Sequence, residues 1–172
     1  MPPVRKQLDA IYDWSAYAAA VAMVGTMCAV LAGILDRYLA LGLRGTDMYA
    51  GYCMAASGFL ALAHTLKRGE HIRVTLILQK FAGKALHRLE IWALFASTLL
   101  AALFAYYSVR LSYQSWQFHD RSTGSDATPL WIPQLAMAVG TTVLLIAFID
   151  ELILEIRGKR VVGTSDEALH NE

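Results

Sequence analysis

Five of the seven residues from 67 to 73 carry ionisable side chains: Lys67, Arg68, Glu70, His71 and Arg73, within the stretch LKRGEHIRVTLIL. A carboxylate, an imidazole and three cations so close together have the make-up of an acid–base site, a proton relay or a metal site. They also follow directly on a long apolar run. The same residues therefore have the make-up of the wet end of a membrane span, and the surrounding sequence has to decide.

The chain is 56% hydrophobic and 17% charged, against about a quarter charged for an ordinary soluble domain. The apolar excess is gathered into four blocks without Asp, Glu, Lys or Arg: Ala16–Leu35, Met48–Leu66, Ile91–Val109 and Leu130–Ile149. As helix, each is roughly 30 Å long, the thickness of a bilayer's hydrocarbon core. The reading is an all-α membrane protein forming a single membrane domain over residues 1–172. Its spans are placed at about 16–35, 47–66, 90–116 and 130–154. The first block follows Arg5 and Lys6, as a signal sequence would, but it is longer than a signal core. It runs into Asp36, Arg37 and Tyr38 without a small-x-small cleavage site, so it reads as a retained span.

Lys and Arg distribution sets the orientation. Arg5 and Lys6 precede the first span, and Lys67, Arg68, Arg73, Lys80, Lys84 and Arg88 lie between the second and third. Arg157, Lys159 and Arg160 follow the fourth, whereas the two opposite loops hold only Arg37, Arg44 and Arg121. Both termini and the middle loop are expected to be cytoplasmic. Most of these cations need no further explanation than that rule, Lys67 and Arg68 included.

Within the middle loop, Arg73, Lys80, Lys84 and Arg88 share one helical face, roughly opposite Val74, Leu78, Phe81, Ala85 and Leu89. This predicts an amphipathic helix at about 72–88, lying in the membrane interface with its basic face toward anionic lipid. At the far end of the third span, Tyr106, Tyr107, Tyr113 and Trp116 form an aromatic belt. The acidic pair Asp150 and Glu151, near the cytoplasmic end of the fourth span, is expected to meet a cation from the middle loop.

What the spans lack is as informative. Membrane carriers usually place an ionisable group near mid-membrane, and none of the four blocks has a charged one. Of the histidines, His64 lies near one end of a span, and His71, His87, His119 and His170 fall outside the blocks. That arrangement does not favour axial haem ligation. Cys28 and Cys53 read as small apolar side chains. No spacing calls for catalysis, zinc, nucleic acid or any cofactor in this chain. Each span does carry a small-residue face for helix packing: Ala18, Ala22, Gly25, Ala29 and Ala32 in the first; Gly51, Ala55 and Gly58 in the second; Ala93, Ser97, Ala101 and Ala105 in the third; Ala136 and Gly140 in the fourth.

Two local motifs narrow the reading. At the end of the second span stand Lys67, Arg68, Gly69, Glu70, His71, Ile72, Arg73 and Val74. Ser122 and Thr123 then precede a Pro-aromatic helix start at Pro129, Leu130 and Trp131. With this topology the chain resembles the small membrane subunit of tripartite ATP-independent periplasmic (TRAP) transporters, the DctQ-like family. In that family an ARRGxHIRVD-like run is typical after the second span. Thr75 stands where an acidic residue often follows Val, and Asp126 interrupts the second motif. The resemblance implies a large multi-span permease subunit that carries the substrate and sodium sites, and a periplasmic binding protein that delivers an organic anion, a carboxylate or sulfonate. This chain would be a scaffold for the large subunit. Arg68, Gly69, Glu70, His71, Arg73, Ser122, Thr123, Pro129 and Trp131 are then the candidate interface residues, with Glu70 and Arg73 fixing the turn into the interfacial helix or contacting the large subunit. A self-sufficient dimeric carrier and a membrane anchor for a redox enzyme are the alternative readings.

Overall fold

The computed structural model describes residues 3–68, 84–124 and 126–157. They form four helices: α1 (Pro3–Leu39), α2 (Thr46–Lys67), α3 (Lys84–Gln117) and α4 (Trp131–Ile156). Three contain segments long and apolar enough to cross a membrane, namely Gln7–Leu39, His87–Gln117 and Trp131–Ile156. α2 has 22 residues, enough to reach across a bilayer, but Tyr49, Gly51, Tyr52, Ser57, Gly58 and His64 dilute its hydropathy. Most of the predicted interfacial helix, residues 72–83, lies outside the described residues. Lys84 and Arg88 belong to the first described turns of α3, in one continuous helix with the apolar segment.

The helices stand in the order α1, α2, α4, α3, each packed along the next, with only a light contact between α1 and α4. Their surfaces are distributed in the reverse of a soluble fold. Among the described residues, six of the nine buried apolar ones are alanines: Ala19, Ala63, Ala101, Ala105, Ala138 and Ala147. Ser15, Ser108, Ser112, Ser115 and Thr141 are buried with them, while Trp14, Val21, Met23, Trp92, Leu100 and Val139 face outward. Soluble proteins rarely expose an apolar surface of this extent. In hydrocarbon it costs nothing, and small side chains inside let backbones come close.

The close approaches can be located. Ser15 Oγ donates to the Leu60 carbonyl at 2.5 Å, tying α1 to α2. Farther along the same pair of helices, Gly25 faces the Cys53 side chain and Gly33 faces Thr46. Cys28 and Cys53 are both free thiols. Between α2 and α4, a Cβ on Gly140 would lie 2.5 Å from the Phe59 carbonyl oxygen. On α3 the buried stripe runs Ala101, Ala105, Ser108, Ser112, Ser115, extending the small face of the sequence but leaving Ala93 exposed. On α2 the outcome differs: Gly51, Ala55 and Gly58 are exposed and pack against no other described helix.

Below the apolar stretch, α1 continues through Asp9 and Asp13, residues that hide it from a hydropathy reading. Packing holds this extension: Tyr12 is 2% exposed and clusters with Ala63 of α2 and Ala147 of α4, flanked by Leu8, Leu66 and Val143. At the opposite end the α1–α2 turn reverses through left-handed residues at Ala40, Gly42 and Gly45. Asp36 Oδ1 closes it by accepting the Leu43 N–H at 2.8 Å.

Two glycines make a paired test. Gly140→Ala forces a methyl into α2 backbone and is expected to destabilise the chain by about 1–3 kcal/mol. Gly58→Ala meets open space and is expected to be neutral or stabilising by up to about 1 kcal/mol. Thermal unfolding of the detergent-solubilised chain distinguishes them, and equal losses would refute the assigned α2–α4 contact.

Candidate functional site: two polar ends joined by uncharged helices

The described charges gather at or near the two ends of the helices. At one end, the last residue of α2 reaches across to α4. Lys67 Nζ binds Asp150 Oδ2 in a short contact and Glu151 Oε1 at 3.0 Å. The three side chains are 15%, 24% and 12% exposed, and the ammonium also sits 5.4 Å from the centre of the Tyr12 ring. The topology rule alone had accounted for Lys67; its burial and its two carboxylates correct that. The expected partner for Asp150 and Glu151 is therefore this lysine.

The same end carries two further links. His64 Nδ1 of α2 lies 3.6 Å from Asp13 Oδ1 of α1. His87 Nδ1 of α3 lies 2.8 Å from Glu155 Oε1 of α4, whose side chain is 8% exposed. Each helix thus contributes at least one polar residue to this end. His87, Glu90 and Glu155 also bring three ligand-type atoms within 4.8 Å of one another. Of the three, His87 and Glu155 are in direct contact, and His87 is half exposed.

At the other end, the loop between α3 and α4 folds over the start of α2. Ser122 N–H donates to the Thr128 carbonyl at 2.8 Å, and Ser122 Oγ accepts the Gly124 N–H at 3.1 Å. Arg121 and Pro129 pair across the loop as a single antiparallel bridge. The loop is fastened to α2 by Tyr52, whose hydroxyl donates to Asp126 Oδ2 at 3.2 Å. The Thr128 and Tyr49 hydroxyls lie 3.3 Å apart beside it. A Cβ on Gly45 would lie 2.6 Å from Asp126 Cβ, and Gly45 has φ of +81°; only glycine meets both demands. The Thr128 hydroxyl, then Ser122, its own amide and Tyr52 hold the Asp126 carboxyl down to about 2, against an opposing desolvation.

Lys67 and Arg68, the described residues of the first motif, lie at the opposite end of α2 from the loop that carries the second. Arg68 is the exposed C-cap of α2, its N–H bonded to the His64 carbonyl at 3.0 Å. Gly69, Glu70, His71, Arg73 and Lys80 lie outside the described residues. Ser122 is half-buried inside the loop and Thr123 is exposed. The Pro129 carbonyl accepts the Ile132 N–H at 3.2 Å, starting α4, and Trp131 is that helix's first residue. The sequence reading did not find the His87–Glu155 and Tyr52–Asp126 links, because neither pair is close along the chain.

A family model described as the DctQ component of tripartite ATP-independent periplasmic transporters matches residues 26–158. The chain belongs to the DctQ family. The match takes in the last third or so of α1, both motifs and all of α2, α3 and α4. This DctQ protein is a transporter component and a membrane protein, and its family is not one of enzymes. A search among curated proteins returned no match.

Removing Lys67 takes the ammonium away from two half-buried carboxylates. Lys67→Met is expected to cost about 1–3 kcal/mol, less than breaking a fully buried pair, and adding Asp150→Asn and Glu151→Gln to it should restore most of that stability. Detergent melting curves of the single and triple variants check this; no recovery in the triple variant would contradict it.

Asp126 gives a pH dependence of defined sign. Its native carboxyl releases its proton near 2 and an ordinary one near 3.8. The unfolded chain therefore takes up the proton first on acidification. The contribution is fully present above about 4 and is lost as pH falls toward about 2. The stability gap between wild type and Asp126→Asn should close over that window in pH-dependent melting; a gap that widens there would show the sign to be wrong.

Proposed function

We propose that this DctQ protein is the scaffold subunit of a sodium-driven, binding-protein-dependent secondary transporter importing an organic anion of the carboxylate or sulfonate class. The family match over residues 26–158 carries the reading. In it, α2 is the fourth membrane span, both termini face the cytoplasm of a bacterium and the sodium and substrate sites belong to the large permease subunit. A periplasmic binding protein supplies the substrate.

Three features support a scaffold role. The membrane-facing middles of the described helices carry no charged group with which to bind an ion. Helices set in a row give a broader footing than the same four closed around one axis. The polar ties at both ends hold that row together. A subunit that anchors a moving partner needs breadth and rigidity more than a binding site.

Co-expression with the large permease, followed by detergent purification and reconstitution with the binding protein, tests the assignment. The two subunits should co-purify, and sodium-dependent uptake should need both. Transport by this chain alone in liposomes, or undiminished uptake after its deletion, would defeat the proposal. Glu70→Ala and Arg73→Ala are expected to lower complex yield or uptake; wild-type assembly and uptake in both would remove this motif from the interface.

A further inference from the structure

A cavity of about 540 Å³ lies open between the outer faces of α3 and α4. Its floor is made of small buried residues, Ser112 and Ala138. Its walls are Val109 and Tyr113 on one side and Leu135 and Val139 on the other, all substantially exposed. The trough exists because small residues line the helix contact while large ones stand at its rim. Trp116 and Trp131 close one end.

The same two tryptophans line a second, smaller cleft of about 130 Å³, together with His119, Arg121 and Pro129. Arg121 is exposed and forms no ion pair among the described residues. Asp120, its neighbour in sequence, does not line the cleft. The surface thus reads, along one line, as apolar trough, pair of tryptophans, then imidazole and guanidinium.

We propose that this composite groove is a binding site for one anionic phospholipid. The acyl chain occupies the trough between α3 and α4, and the headgroup phosphate is held by Arg121 and His119. The order of chemistry along the groove matches that of a phospholipid along the membrane normal, with the tryptophans at the level of the headgroup boundary. A guanidinium suits a phosphate geometrically as well as electrostatically. The trough's volume is that of an ordinary small-ligand site, and its lining is almost wholly apolar.

The reporter is already built in. In the full chain carrying Trp14→Phe and Trp92→Phe, only Trp116 and Trp131 fluoresce among its four tryptophans. The protein is reconstituted in phosphatidylcholine vesicles containing trace phosphatidylglycerol with a brominated acyl chain. Quenching should exceed that from the same fraction of brominated phosphatidylcholine. Arg121→Gln should weaken it roughly fivefold, and Val139→Phe, which fills the trough, should reduce quenching by either brominated lipid. Equal quenching by the two lipids in the parent chain, or no effect of Arg121→Gln, would overturn the proposal. The measurement is repeated on the complex with the large subunit. Retained quenching there supports the lipid site; its disappearance assigns the trough to that subunit's own surface and overturns it.

Discussion

Helices immersed in hydrocarbon gain almost nothing by hiding apolar surface from it, and this constraint shapes every contact in the chain. Lipid tails are as apolar as leucine, so association rests on backbone approach and on polar links. The interior accordingly holds alanine, serine, threonine and glycine, and the large apolar side chains point outward. Gly140 against the Phe59 carbonyl and Ser15 against the Leu60 carbonyl are two points at which neighbouring helices approach closely. Where side chains must be small along the seam between two helices but are large beside it, an open trough results, as between α3 and α4.

Close approach along the seams leaves the ends to be fixed by charge. Asp150, Glu151 and Glu155 occupy the last two turns of α4, next to the negative end of that helix's dipole. Alone they would repel one another and the terminus. Lys67 and His87, brought in by α2 and α3, make that placement workable. Lys67 is also favourably placed for its own helix, at the C-terminus of α2. The contacts join neighbours in the row, α2 to α4 and α4 to α3, so they oppose sliding of each helix past the next. At the other end, the hydroxyls around Asp126 do the same for the α3–α4 loop and α2.

All four helices were legible in the sequence as apolar blocks, because length and hydropathy depend on composition alone, and three of them contain segments apolar enough to cross a membrane. The all-helical class and the family followed from the same runs and two short motifs. Less legible was anything that requires two distant residues to meet. Lys67 looked like an ordinary topogenic cation until its carboxylates arrived from residues 150 and 151. The early start of α1 was hidden because Asp9 and Asp13 break the apolar run, although Tyr12 between them is among the most buried residues. The small-residue rule was right for the faces of α1, α3 and α4 in large part. It could not show that the stripe on α2 faces away from its neighbours, since spacing defines a face but not what lies opposite.

Asp126 shows why a departure from a motif need not weaken it. Read along the chain, an acid between Ser122 and Pro129 interrupts a pattern of small polar residues. Read in space, it is the group around which that pattern closes: Ser122 and Thr128 face its carboxylate, Tyr52 reaches it from α2, and Gly45 yields the room its side chain needs. An anion that accepts from a neutral hydroxyl fastens a loop to a helix without needing a cation. Lys67, from the other motif, stands at the far end of the same helix, where it ties α2 to α4. α2 is thus fastened at both ends, by a neutral hydroxyl on an acid at its start and by an ammonium between two carboxylates at its finish.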